Sequence, residues 1–270
     1  MTRLTFLGTG GGRFVTLTQE RSTGGMYLED DYKVHIDPGP GALSAMRRNR
    51  IDPLRTDGIL ISHCHPDHYS NAEPIMEGIG LGRKGRWGFL IGPISVTKGK
   101  GGIGPAVSRY HRSRIKSTIT VKPGDDFNVY HLKGRATPSV HSDPFGVGFR
   151  IRTRNGVLSY IADTELTDDV VESHLGARIL IMAVTRPLGA SIPNHLSTED
   201  AAKIASRIGP ELCLLTHQGK KFINEGPAEQ SEYVEEHSGI RTIAAEDDMI
   251  VSFKEGIDVF SSKKSRSVPV

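Results

Sequence analysis

The stretch Ile61-Ser62-His63-Cys64-His65-Pro66-Asp67-His68 places three imidazoles and one carboxylate within six consecutive positions. It follows directly on the apolar run Gly58-Ile59-Leu60-Ile61, which reads as a short buried strand. His63 and His65 are two positions apart, so on an extended chain both rings point to the same side. Pro66 suits the first turn of a helix, and Asp67 and His68 fall within that turn. Two pairs of ligands aimed at neighbouring points from one strand end suit two divalent metal ions rather than one. Imidazole and carboxylate donors favour zinc, with manganese or iron as alternatives, because geometry and supply set selectivity as much as affinity does. Histidine makes up only 11 of 270 residues, so four metal-capable side chains in six positions is a local excess rather than an effect of composition.

Further metal-capable residues stand at or near the ends of other apolar runs. Asp37 follows Tyr32-Lys33-Val34-His35-Ile36, and His141 lies in Pro138-Ser139-Val140-His141-Ser142. Asp163 follows Leu158-Ser159-Tyr160-Ile161-Ala162, and His217 follows Leu212-Cys213-Leu214-Leu215-Thr216. Taken in order with the motif His63-x-His65-x-Asp67-His68, these stations resemble the metallo-β-lactamase superfamily over residues 37–217. Periodicity alone supports only an α/β or α+β class. The resemblance implies the finer architecture, an αββα sandwich of two mixed sheets with helices on the outer faces. It also implies one metal site from His63, His65 and His141, a second from Asp67, His68 and His217, and a bridging role for Asp163. Asp163 has a second reading as a cap for a helix starting near residue 166. Asp37 either accepts the second ring N–H of a ligand histidine from behind the metals or belongs to a turn before Pro38-Gly39.

Within the superfamily the chain is most similar to the tRNase Z group of phosphodiesterases. The opening Leu4-Thr5-Phe6-Leu7-Gly8-Thr9-Gly10-Gly11-Gly12 and the segment Asn194-His195-Leu196-Ser197-Thr198-Glu199-Asp200-Ala201-Ala202 carry that likeness. It implies hydrolysis of a phosphodiester by a hydroxide generated on two metal ions, with Asp67 accepting a proton and His195 serving the leaving group as general acid. His195 equally suits a residue that only precedes a capped helix. Members of the group often carry a long tRNA-gripping arm between the stations matched here by His141 and Asp163. Only 21 residues separate these two, enough for one β-hairpin and no arm. The substrate expectation is therefore a phosphodiester, RNA among the candidates. The alternative is a small-molecule hydrolase of the same fold acting on a cyclic phosphodiester, thioester or lactone.

Bulk properties are compatible with this reading. The hydrophobic share of 37% and charged share of 24% describe an ordinary globular chain, here read as one domain over residues 1–270 with a frayed tail at 261–270. No apolar run is long enough to span a bilayer, and the two cysteines, Cys64 and Cys213, argue against a structural disulfide. A cytoplasmic location, no membrane partner and a homodimer as an admissible assembly complete the expectation. Residues 83–116 hold nine Lys and Arg with no Asp or Glu, against a net charge of only +3 for the chain. Arg109, Arg112 and Arg114 in that segment are candidates for contact with substrate phosphate; an ordinary solvated loop is the competing reading.

The pattern predicts strands at 3–7, 32–36, 58–62, 88–92, 118–122, 127–132, 146–153, 156–162, 178–184, 211–216 and 249–254. It predicts helices at 40–49, 66–79, 166–175, 198–208 and 227–237. Ser197 with Asp200 reads as a capping box, and Gly209-Pro210 as the stop of that helix. Gly8-x-Gly10-Gly11-Gly12 follows a strand, but Arg13-Phe14-Val15-Thr16-Leu17-Thr18 does not read as a helix, so a dinucleotide fingerprint is set aside in favour of a turn beside the metal site.

Overall fold

The structure, a computed structural model, describes residues 1–82 and 85–261. The chain opens with β1 (Thr2–Phe6), α1 (Gly12–Thr18), β2 (Met26–Glu29), β3 (Lys33–Ile36) and α2 (Ala42–Arg48). A 3-10 turn (Pro53–Arg55) leads to β4 (Gly58–Leu60), α3 (Pro66–Tyr69), α4 (Ala72–Leu81), β5 (Phe89–Gly92), α5 (Ile94–Thr97), α6 (Arg109–Arg114) and β6 (Ser117–Thr120). Then follow β7 (Asp126–Val129), β8 (Leu132–Pro138), β9 (Val147–Thr153), β10 (Gly156–Ile161), α7 (Asp168–Ser173) and β11 (Ile179–Arg186). The last part holds β12 (Leu196–Ser197), α8 (Thr198–Ile208), β13 (Leu212–Thr216), α9 (Lys220–Asn224), α10 (Pro227–Ser238), β14 (Thr242–Ala244), β15 (Ile250–Phe253) and β16 (Ile257–Phe260).

These strands form two mixed sheets. One runs β16-β15-β1-β2-β3-β4-β5-β6 and the other β14-β13-β11-β10-β9-β8-β7, with β12 added beside β11. The central strands of each sheet are covered on both faces, and the alternation along them shows how. Leu60 and Ile91 point into the space between the sheets, while Ile59 and Leu90 point out under α2 and α4. In the other sheet Ile181 and Leu214 point inward, while Met182 and Leu215 point out under α8 and α10. A strand with both sides buried needs apolar residues at successive positions, which is why 59–61 and 179–184 read as continuous runs rather than alternating ones. The result is the expected αββα sandwich. α8 begins at the Ser197–Asp200 capping box and ends at Gly209 in the left-handed region (φ 64°).

Several local expectations are corrected. α1 is a helix, although only Val15 on it is buried, so no amphipathic period marks it. Segment 127–132 is two strands, because Tyr130 turns the chain at φ 52° and places His131 in an exposed hairpin turn. Helix 66–79 is broken into α3 and α4 around Ser70 and Asn71. His174 is fully buried, its Nδ1 2.7 Å from Ser159 Oγ. β2, β12, β14 and β16, with α5, α6 and α9, are too short to stand out from local sequence. Of the tail at 261–270 only Ser261 lies within the described residues. No helix among the described residues is long and apolar enough to cross a membrane, and Cys64 and Cys213 are both free.

Candidate metal centre

The strand ends that carry the singled-out residues lie at one end of the sandwich. Asp37 follows β3, the His63–His68 segment follows β4, His141 follows β8, Asp163 follows β10 and His217 follows β13. His63 Nε2 is 2.9 Å from His65 Nδ1, which is 3.1 Å from His141 Nε2. His68 Nε2 is 3.1 Å from His217 Nε2, which is 3.3 Å from Asp67 Oδ2. Asp163 lies between the groups, with Oδ2 3.8 Å from His68 Nε2 and 3.7 Å from His141 Nε2. Its Oδ1 is 3.1 Å from His217 Nδ1 but accepts no hydrogen bond, although fully buried. Asp163 does not cap a helix: the N-cap of α7 is Thr167.

The surrounding hydrogen bonds set the tautomers. Asp37 Oδ1 accepts from Ser62 N (2.7 Å), and Oδ2 accepts from Ser62 Oγ (2.7 Å) and Tyr160 Oη (2.8 Å). A carboxylate only accepts, so His68 Nδ1, 2.9 Å from Asp37 Oδ2, carries its proton there. The Ser62 hydroxyl is spent on Asp37, so it accepts from His63 Nδ1 at 3.0 Å. The carbonyl of Asn194 accepts from His141 Nδ1 at 2.8 Å. In their neutral form His63, His68 and His141 therefore turn bare Nε2 lone pairs toward the centre. Each of these atoms lies 2.9–3.1 Å from a further imidazole nitrogen, His65 Nδ1 or His217 Nε2, so ring nitrogens converge as donors around a cation do. A tetrahedral ion with nitrogen ligands at about 2.0–2.1 Å holds its donors roughly 3.3 Å apart, close to these spacings. Together with the orphaned Asp163 oxygen, the donor set fits divalent metal ions.

Electrostatics divide the centre. Burial pushes the His63 imidazole well below its ordinary pKa, and His68, His65 and His141 add to that. Burial works against ionisation of Asp67, yet His68 and His217 outweigh it and hold the carboxyl far below the usual range. Burial likewise opposes charge on His68, but Asp67 and Asp37 push its pKa up to about 10. The centre thus holds a His63 imidazole that burial keeps neutral beside an Asp67–His68 pair that favours charge separation. Asp37 (φ 51°), Asn194 (φ 64°) and His217 (φ 57°) all hold left-handed backbone, which costs free energy for non-glycine residues and concentrates at functional sites.

Some contributors escaped the sequence reading. Asp143 is 1% exposed. Its Oδ2 accepts from Cys64 N (3.0 Å) and Ser95 Oγ (2.6 Å), and its Oδ1 from Phe145 N (3.0 Å), so one carboxylate clamps the His63–His65 loop to the His141 loop. Tyr160, Ser62 and Thr185 hold Asp37, His63 and His217 in the same way (Thr185 Oγ1 to His217 Nδ1, 2.9 Å). Ser62 and Asn194 stood inside quoted motifs; Asp143 and Thr185 carried no local signal.

The chain matches the family described as the beta-lactamase superfamily domain over residues 32–218. The chain belongs to the metallo-β-lactamase superfamily. An uncharacterized protein of Methanocaldococcus jannaschii is 39% identical over 243 residues, covering 89% of this chain and 91% of that protein. Ribonuclease Z of Thermococcus kodakarensis is 22% identical over an alignment of 319 positions, covering 95% of this chain and 96% of the relative. Among solved structures, the metallo-β-lactamase fold protein YhfI from Bacillus subtilis matches with TM-score 0.76 at 18% identity, covering 92% of this chain and 98% of that one. A diphosphatase of the PhnP family matches with TM-score 0.69 at 17% identity, covering 96% and 100%. The metallo-β-lactamase fold and the ribonuclease Z relationship make the protein a metal-dependent hydrolase.

A cleft of about 930 Å³ opens onto the centre of this metallo-hydrolase. Its floor includes His65, Asp67, His141 and Asp163; its walls include Arg13, Phe14 and Leu17 of α1, Ile192, His195, and Lys220 and Lys221 of α9. His195 Nδ1 donates to the Asn194 carbonyl at 2.5 Å, and its ring lies 5.0 Å from that of His141. Burial lowers the His195 pKa to about 4 despite the opposing charge of Asp163. The basic segment is elsewhere. None of the described residues of the segment 83–116 lines the cleft; Arg83 and Lys84 lie outside the described residues. Arg109, Arg112 and Arg114 lie on α6, which packs against α4. Arg112 is bound to the Thr97 carbonyl, Arg114 lies 4.0 Å from Glu77, and His111 pairs with Glu73 at 3.1 Å. The candidate phosphate contacts are therefore not brought to the centre, and the acids that face His111 and Arg114 come from α4, which directly precedes the segment.

Proposed function

We propose that the protein is a ribonuclease Z-like phosphodiesterase that works with two divalent ions, zinc before manganese or iron. The first is held by His63, His65 and His141, the second by Asp67, His68 and His217, with Asp163 shared between them. The observation that carries this reading is the placement of Asp163, with oxygens 3.1–3.8 Å from ring nitrogens of both groups and one of them free of hydrogen bonds. Ions bound there would supply Lewis acidity toward phosphoryl oxygens and lower the pKa of water.

The chain's own residues divide the remaining work. Asp67 is fixed by the Gly12 N–H at 3.2 Å and lines the cleft, so its carboxylate is placed to accept a proton. His195 projects into the cleft with Nδ1 committed to a carbonyl, so proton traffic runs through Nε2. Its depressed pKa leaves Nε2 bare in the free protein at neutral pH, so service as general acid requires that it take up a proton beside an anionic substrate. Asp37 holds the His68 imidazole, Asp143 holds the loop between His63 and His65 through Cys64 N, and neither lines the cleft.

A small phosphodiester has a specific observation in its favour over a structured RNA. The 21 residues between His141 and Asp163 are occupied by β9, β10 and their short connections, and the cleft lies within the range of about 300–1,000 Å³ common for small-molecule sites. The test is zinc loading followed by metal analysis, with turnover of bis-p-nitrophenyl phosphate, nitrocefin and a thioester measured side by side. Two ions per chain with hydrolysis of the phosphodiester alone is expected. A stoichiometry that stays at one at saturating zinc, or turnover confined to the thioester or nitrocefin, refutes it.

A further inference from the structure

α1 contributes almost nothing to the core. Of its seven residues only Val15 is buried, while Phe14 and Leu17 are 75% and 84% exposed. Ile192, 40% exposed, stands on the wall of the same cleft. Leaving apolar side chains in water brings folding no gain, so their presence needs another cause. These three are not scattered: all line the cleft whose floor holds His65, Asp67, His141 and Asp163. α1 is also tied rigidly to that floor, because the Gly12 N–H donates to Asp67 Oδ2 at 3.2 Å. Phe14 lies two residues further on, a rise of about 3 Å along the helix.

The cationic groups around this wall differ in availability. Lys220 is held by Glu20 at 2.5 Å and Lys221 by Glu225 at 3.4 Å. Arg13, next to Phe14 and exposed, makes no hydrogen bond or ion pair among the described residues. An exposed phenyl ring beside an open guanidinium offers two groups that stack on planar rings, and both tolerate any base. An aliphatic chain would make no use of Arg13, and a second copy of the chain seated on these residues would close the cleft mouth.

We propose that Phe14, Leu17 and Ile192, with Arg13 beside them, form a subsite for the planar base of a nucleotide-type phosphodiester whose phosphate reaches the metal centre. This rests on the phosphodiesterase reading above and names the substrate class of that site. The base packs against Phe14 and Leu17; the reacting phosphorus lies at the floor; the scissile chemistry is unchanged.

The experiment compares two esters that both release p-nitrophenolate: methyl p-nitrophenyl phosphate and the p-nitrophenyl ester of thymidine 5′-phosphate. The zinc-loaded wild type should favour the thymidine ester in kcat/KM by about tenfold, within the range that base–aromatic stacking contributes. The double variant Phe14→Gln with Leu17→Gln should lose that preference through KM and leave the methyl ester unchanged. Equal kcat/KM for both esters in the wild type, or equal losses on both in the variant, overturns the proposal. Calorimetric titration with thymidine 5′-phosphate separates this from failure of the phosphodiesterase reading. If neither ester is cleaved but the variant binds the nucleotide about tenfold more weakly, the subsite stands and only the reaction was misassigned. Unchanged nucleotide affinity overturns it in either case. So does light scattering that shows the variant converting a dimer to a monomer with ester preference intact, which assigns the patch to a second copy.

Discussion

Gly11→Ala should damage the metal centre without unfolding the protein. Gly11 is extended (φ −156°), so alanine there carries no backbone strain. A Cβ would lie 2.3 Å from Cγ and Nδ1 of His217 and 2.4 Å from Cδ2. Carbon contacts settle at about 3.5–4.0 Å, so ring and loop must separate by more than about 1 Å. Neither side yields readily. The loop is pinned by Gly11 N to Gln218 O (3.1 Å), and the ring by Thr185 Oγ1 (2.9 Å) and its neighbours His68 and Asp67. Overpacking of this kind costs about 1–3 kcal/mol of stability. Function should suffer more, since a misplacement of about 1 Å at a reacting centre can cost on the order of 100-fold in rate. Gly12→Ala is the control: its Cβ meets nothing nearer than 3.9 Å, but its φ of +74° imposes strain of roughly 1 kcal/mol or more. Urea unfolding, metal content after zinc loading and turnover of bis-p-nitrophenyl phosphate should show both variants destabilised, with only Gly11→Ala losing metal and activity. Normal metal content and turnover in Gly11→Ala, or equal metal loss in Gly12→Ala, would refute the steric reasoning.

His195→Ala should lower turnover by roughly two to four orders of magnitude for an alkoxide leaving group, the usual worth of a positioned acid, and far less for p-nitrophenolate, which departs without a proton; equal losses on both would make His195 a structural residue. Replacing Arg109, Arg112 and Arg114 together with Ala should leave turnover of small phosphodiesters unchanged, because none of them lines the cleft; a large drop in kcat/KM at full metal occupancy would contradict that placement. Burial pushes the His174 pKa down to about 3, so the unfolded chain takes up a proton below about pH 6.5 while the folded chain does not. Stability should therefore fall as pH drops from about 6.5 toward about 3, by up to about 1.4 kcal/mol per pH unit from this residue. Urea unfolding at two pH values, at fixed zinc, should show His174→Gln losing less than the wild type; identical losses would place the proton uptake elsewhere.

The metal-capable residues were legible because their signal is local. His63, His65, Asp67 and His68 share one turn, and Asp37, Asp163 and His217 each end an apolar run that can only be a buried strand. The short elements were not legible. β2 exists because Met26–Glu29 pairs with β1 on one side and β3 on the other, and α1 because its loop is held at Gly11 and Gly12 beside His217 and Asp67. Neither carries a period of its own. The basic segment left two readings open. A run of nine cations with no acid suits a phosphate wall or a solvated loop equally, and only the structure shows that Glu73 and Glu77, from a helix earlier in the chain, face His111 and Arg114.

By itself, then, the sequence determined which side chains can bind metal and which runs must be buried, because donor chemistry and strand alternation depend on neighbours one to four positions apart. Tertiary structure alone decided that Asp163 stands between two imidazole groups, and that Asp143 ties together loops 79 residues apart in sequence. It also decided that Phe14 and Leu17 face the cleft rather than the core. Each depends on how two sheets stack, and the register that aligns their strand ends comes from long-range pairing and core packing that no local window contains.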